Sequence, residues 1–326
     1  MFPTLSRRIP PHPAAGTLAS VEILPAECDR RTESSRESDM ADARSMWALF
    51  EPVHAVTYFA PQAREHFTAA GLRGFWRGYF AGRAAPLGEV QAAPVVAAFF
   101  NFAPGMVRRA IPEVWTMVSA RAALDARVEG AVASLAPLVT DVPDARLELA
   151  ADVLTRAAAA IEPAGRVVGA ANAALAPYEG TLARLWQAAT TLREHRGDGH
   201  VAALVTAGIG PCEVLALRCG MDLSREVMQT VRGWTDDEWR EAQAGLVSRG
   251  WLDSDGVATS AGEAAYRRVE DATDLAASGP WRALGVETVR RAVETLRPIA
   301  AACHGVLPVG NPIGIPPLPP IPAPRD

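Results

Sequence analysis

Thr235-Asp-Asp-Glu-Trp-Arg-Glu-Ala-Gln-Ala-Gly-Leu-Val-Ser-Arg-Gly250 runs directly into Trp251-Leu-Asp-Ser-Asp-Gly256-Val-Ala-Thr259-Ser-Ala-Gly262. Thr235 and Glu238 have the spacing of a capping box, in which two side chains satisfy free amides at a helix start. The helix predicted from it spans Asp236 to Ser248, and Gly250 ends it. Trp251 to Thr259 reads as two short strands around an Asp255-Gly256 turn. Ser260-Ala-Gly262 then leads into a last helix reaching about Leu275. Upstream, helical segments cover about 200–218 and 224–232, and Gly233 makes a turn before Thr235. The order is helix, turn, helix, hairpin, helix.

Working outward, the rest of the chain is also helical. Residues 118–175 are alanine-rich and broken at Pro137, Pro143 and Pro163; a further helix runs from Tyr178 to about His195. Toward the N-terminus, Phe50, Val53, His54, Thr57 and Tyr58 recur at i, i+3, i+4, i+7 and i+8, so they share one helix face. Pro52 suits a first turn, so this helix is predicted to begin near Glu51. Pro61 starts the next, which passes Phe67 and ends near Gly71. Gly74-Phe-Trp-Arg-Gly-Tyr-Phe-Ala-Gly82 follows, and Ala92 to Phe102 reads as one buried core helix. Thirteen of the 21 Phe, Trp and Tyr residues lie between Trp47 and Trp115, a density that builds a thick core or a ring-walled pocket.

The fold class expected is mainly α: a helical N-terminal domain plus a winged helix-turn-helix domain with a small β-hairpin wing. The divisions expected are an aromatic-rich domain over 40–180, the winged helix over 181–285, a C-terminal helix over 286–307 and a proline-rich tail over 308–326. Residues 1–39, polar and aperiodic, are expected to be disordered. They read either as sequence upstream of a true start at Met40 or as a regulated tail. The C-terminal prolines call for extended polyproline, which can lie as a strand along the body.

Composition excludes several functions. The 326 residues are 49% hydrophobic and 21% charged, the balance of a chain with real cores. No apolar run is long enough to span a bilayer, and no secretory apolar region opens the chain, so a cytoplasmic protein with no membrane partner is expected. The net charge of −5 argues against a globally basic nucleic-acid binder. All 32 basic residues are arginine, so lysine Schiff-base chemistry and an intact P-loop are excluded. The four cysteines, Cys28, Cys212, Cys219 and Cys303, form no CxxC pair and read as reduced thiols.

Two resemblances follow. Residues about 185–275 resemble the winged-helix domain of MarR-type regulators, through Leu246-Val-Ser-Arg-Gly250-Trp-Leu252 and Thr259-Ser-Ala-Gly262. From about Met46 to Leu284 the chain is similar to an uncharacterised actinobacterial SalK-like helix-turn-helix family. Its carrying stretches are Glu51-Pro-Val-His-Ala-Val-Thr-Tyr-Phe59, Gly74-Phe-Trp-Arg-Gly-Tyr-Phe-Ala-Gly-Arg83 and Glu194-His-Arg-Gly-Asp-Gly-His200. The resemblance implies a helical N-terminal domain and a helix-turn-helix C-terminal part, and brings no activity with it.

Three chemistries compete. A ligand-responsive, MarR-like DNA-binding regulator is one. It is disfavoured because the recognition helix opens with Asp236, Asp237 and Glu238, and the turn carries Asp253 and Asp255 where phosphates would approach. A metal or acid–base site is the second: Glu51 and His54 share a helix face, and Asp198 and His200 sit in a glycine-rich segment read as a tight loop. If the loop met the helix, these four would suit a divalent ion or proton transfer. The third is plain ligand binding, with Glu51, His54, Tyr58, Arg77, Arg83 and His200 lining the site and the arginines meeting an anionic group. The expected function is a small-molecule-binding helical protein on a winged-helix scaffold, acting in specialised metabolism. Whether it is an enzyme, and with which cofactor, no motif decides. Its partners are a small molecule and, as a homodimer, a second copy. No G-x-S-x-G, H-E-x-x-H or dinucleotide-binding glycine motif is present.

Overall fold

The computed structural model describes residues 33–315 and 317–319; residues 1–32, within the predicted disordered tail, lie outside it, as do Pro316 and residues 320–326. Among the described residues are fifteen α-helices and no strand. The first six are α1 (Glu33–Phe59), α2 (Pro61–Ala69), α3 (Phe75–Ala84), α4 (Ala92–Ala98), α5 (Pro104–Arg108) and α6 (Ala120–Leu135). Next come α7 (Asp144–Ala159), α8 (Val167–Ala173), α9 (Thr181–Thr206), α10 (Pro211–Cys219), α11 (Arg225–Arg232) and α12 (Asp236–Ser248). The last are α13 (Ser260–Ala277), α14 (Gly279–Leu284) and α15 (Val286–His304). No single helix among them is long and apolar enough to cross a membrane.

Three cores hold these helices. The first joins α1, α6, α7, α9 and α15 through Met46, Leu49, Leu154, Trp186 and Leu296. The second is aromatic, with Phe80, Phe99 and Phe102 packed against Ile111 and Val168. The third fills the helix-turn-helix with Leu204, Leu217, Met228, Trp239 and Leu246. Helix α9 contributes to the first and third and packs on α1, α6, α7, α8 and α13. It therefore belongs to both halves of the molecule.

Several local expectations are corrected. Helix α1 does not start near Glu51: it begins at Glu33, within the stretch read as a tail, and carries Pro52 internally. Proline removes one backbone donor there. Burial of Ala43, Met46, Phe50 and Val53 along one face keeps the helix intact. Ala92 to Phe102 is not one helix; α4 ends at Ala98, and Ala103 and Pro104 open α5. Glu194 to His200 is not a loop but the middle of α9. Gly199 serves close packing: a Cβ there would meet the Arg166 guanidinium and lie 3.3 Å from the Ala276 Cβ on α13. On the facing helix α8, a Cβ at Gly169 would fall 2.7 Å from the His195 Cα.

The β-hairpin wing is also corrected. Leu252 and Ala258 form a single antiparallel bridge, with Asp253 N donating to Val257 O and Thr259 N to Trp251 O. The Asp253 carboxylate then takes the amides of both Asp255 and Val257, so the ladder cannot extend. The Ala258 amide donates instead to Gly220 O at the end of α10. Around this abbreviated wing, α10, α11 and α12 keep the helix-turn-helix order, and the capping box is formed. Thr235 Oγ1 accepts from Glu238 N, and Thr235 N donates to Glu238 Oε2.

Candidate functional site

A cavity of about 500 Å³ opens between the aromatic helices and the helix-turn-helix. Its walls come from α1, α3, α9, α10, α11 and α13, and from the C-terminal segment at Pro312 and Ile313. A smaller cavity of about 50 Å³ adjoins it, and Tyr58, Phe75, Tyr79 and Arg83 line both. Of the residues expected at a site, Glu51, Tyr58, Arg83, Asp198 and His200 line the larger cavity and His54 the smaller. Arg77 lines neither; it sits near the surface, 3.9 Å from Glu113.

The polar floor is a buried charge network. Arg83 donates to both oxygens of Glu194, at 2.8 and 2.9 Å. Arg193 donates to Glu194 at 2.8 Å and to Glu51 at 3.4 Å, and Trp47 Nε1 donates to Glu51 at 3.0 Å. Burial pushes the Glu194 carboxyl up, but Arg193 and Arg83 outweigh it and hold the group well below the usual carboxylate range. Two buried carboxylates are thus balanced by two guanidinia that remain 14% and 18% exposed at the cavity wall, the pairing that lets buried charges persist.

Tyr58 stands above this floor. Its hydroxyl lies 2.7 Å from His54 Nε2, and His54 Nδ1 lies 2.9 Å from Thr190 Oγ1. Thr190 donates its own proton to Trp186 O, so it accepts from His54 Nδ1–H. The imidazole is therefore neutral with Nε2 as acceptor, and Tyr58 donates to it. Burial, then Arg193, holds the His54 pKa well below its ordinary value, and burial raises that of Tyr58. The phenol proton is committed to His54, which leaves the Tyr58 oxygen as an acceptor toward the cavities.

His200 lies further along α9. Its Nδ1 contacts Thr273 Oγ1 at 3.0 Å and lies 3.7 Å from Glu270. Burial lowers its pKa to about 4. Asp198 accepts the amides of Val168 and Gly169 at the start of α8, at 2.9 and 2.8 Å. Burial raises its pKa to about 6 against those two amides. Glu51, His54, Asp198 and His200 thus each serve different partners. No trio of His, Cys, Asp or Glu among the described residues is arranged to hold a metal ion.

Sequence reasoning missed Arg193, Arg196, Arg218 and Arg232 on the cavity wall. The first two had a signal. With Glu194 to His200 read as helix, Arg193, Arg196 and His200 recur at i, i+3 and i+7 on one face. Arg218 and Arg232 close α10 and α11 as ordinary C-terminal cations, and nothing in their spacing separates them from capping residues.

The helix-turn-helix surface has a different character. Asp236, Asp237, Glu238 and Glu241 are exposed on α12. The nearby arginines are neutralised: Arg225 by Asp236, Arg240 by Asp237 and Arg249 by Glu213. The chain belongs to a helix-turn-helix family, which it matches over residues 43–308. No curated protein and no solved structure matches it.

Proposed function

We propose that this chain binds a small, largely apolar molecule in the cavity between its aromatic helices and its helix-turn-helix, and that the helix-turn-helix acts as one wall of that site. The observation that carries the reading is the 500 Å³ cavity itself, walled by rings from Tyr58, Trp76, Tyr79, Phe99, Phe102 and Tyr266 and floored by paired charges. A space of this size suits one drug-sized ligand. DNA reading is the weaker alternative, because the exposed face of α12 is acidic and would repel phosphates.

N-phenyl-naphthylamine, an uncharged dye that brightens in apolar sites, tests the proposal. Trp47 and Trp76 line the cavity and serve as energy donors. The expected result is saturable one-to-one binding with tryptophan-to-dye transfer, weakened by Leu215→Trp, which puts a larger ring into the cavity from α10. Binding that never saturates, or that Leu215→Trp leaves unchanged, would overturn it.

A further inference from the structure

Five arginines line the larger cavity: Arg83, Arg193, Arg196, Arg218 and Arg232. Four have carboxylate partners among the described residues. Arg83 and Arg193 share Glu194, Arg196 meets Asp274 at 2.7 Å, and Arg218 meets Asp222 at 2.8 Å. Arg232 has none. Its guanidinium lies 4.6 Å from the Phe102 ring centroid, and Nη2 donates to the Pro312 carbonyl at 3.1 Å. Its Nε is buried with no partner. Beside it, the side-chain oxygen of Asn101 on the same wall is also buried and unpartnered.

An unpaired guanidinium facing a low-dielectric space is costly. A neutral carbonyl satisfies it less well than an anion does, and a carboxylate can take two N–H groups of one guanidinium at once. Phe102 and Tyr79, with ring centroids 5.5 Å apart and planes tilted by 52°, lie on the same wall and give it an aromatic, apolar character. The cavity also holds Glu51, Asp198 and Glu270, which oppose a multiply charged ligand. One free cation among these acids matches one negative charge.

We infer that the ligand of this cavity is an aromatic monoanion whose carboxylate binds Arg232 in place of the Pro312 carbonyl. The inference rests on the cavity reading proposed above and specifies its ligand class. Binding would release the C-terminal segment from Arg232, so the Pro312 carbonyl acts as an internal stand-in for the ligand's charged end.

A matched pair of probes, a naphthalene carboxylate and its uncharged carboxamide, tests it by calorimetric titration of the full chain. The carboxylate is expected to bind wild type about tenfold or more tighter than the carboxamide, as a charge-assisted pair requires. Arg232→Gln should erase that preference, bringing the carboxylate's affinity down to the carboxamide's. Arg232→Lys, which keeps the charge but not the fork, should fall between. If Arg232→Gln does not fold, the wild-type preference and Arg232→Lys still decide. Equal affinities in wild type, or a preference that survives Arg232→Gln, overturn the anion assignment while leaving the cavity reading standing. Failure of both probes and of the uncharged dye to saturate overturns both.

Discussion

Glu194 is the residue on which the site's electrostatics turn, because it answers two largely buried guanidinia at once. Glu194→Gln keeps the shape but leaves Arg83 without its carboxylate and Arg193 with Glu51 alone. The expected loss is about 3–5 kcal/mol of stability, the usual consequence of stranding a buried charge. Urea unfolding measures it, and a loss below about 1 kcal/mol would mean that the network is not closed to water. His200 gives a pH-dependent counterpart. Its pKa falls from an ordinary 6.5 to about 4 on burial, so the unfolded chain takes the proton first as pH drops. Stability is full above pH 6.5 and is lost as pH falls toward 4. His200→Gln should flatten that fall in the unfolding midpoint; an unchanged slope would place the sensitivity elsewhere. Much of this site was legible from the His54 face of α1, since residue type and helical spacing put Glu51, His54 and Tyr58 together. Arg193 and Glu194 were not, because their roles depend on which helix faces them, and local spacing does not encode that.

The contrast between α12 and α9 shows what local signals convey about an element. Thr235 and Glu238 mark the start of α12 because a capping box is a local interaction, complete within four residues. Helix α9 carries the opposite sort of information. Gly197 and Gly199 are poor helix formers, and the breaks read around them are overruled by α8, Arg166 and α13 packing closely on that segment. Gly169→Ala should therefore cost about 1–3 kcal/mol, the usual range for forcing an extra methyl group into a packed contact. Thermal unfolding reads this, and a neutral result would show that α8 slides freely on α9. Asp198 holds the same junction from the other side. Asp198→Asn keeps an acceptor for the α8 amides and removes a charge that burial disfavours as pH rises through about 6. It should be as stable as wild type or more so at pH 8, whereas Asp198→Ala loses about 1 kcal/mol through the empty cap. A less stable Asp198→Asn at that pH would show that the carboxylate's charge is needed at the start of α8.

Across the whole molecule, the helix-turn-helix is presented outward with acids on α12, and Arg225, Arg240 and Arg249 are paired with carboxylates. A mixed-sequence duplex is therefore expected to bind more weakly than about 100 μM at physiological salt, outside the usual non-specific range. Replacing Asp236, Asp237 and Glu241 by arginine should bring affinity into that range with a steep salt dependence. Tight, salt-sensitive binding by the unmodified chain would instead make the family's DNA-reading scaffold the working surface. The architecture adds a mechanical consequence. Helix α9 has 26 residues and is therefore about 39 Å long. Its first turns are seated in the α1 and α7 core and its last in the helix-turn-helix core. Such a rod is a lever: a tilt of about 3° at one end moves the other by about 2 Å, given that length. A ligand that shifts His200, on its C-terminal part, would move the end seated in the helix-turn-helix core about a pivot in the α1 and α7 core.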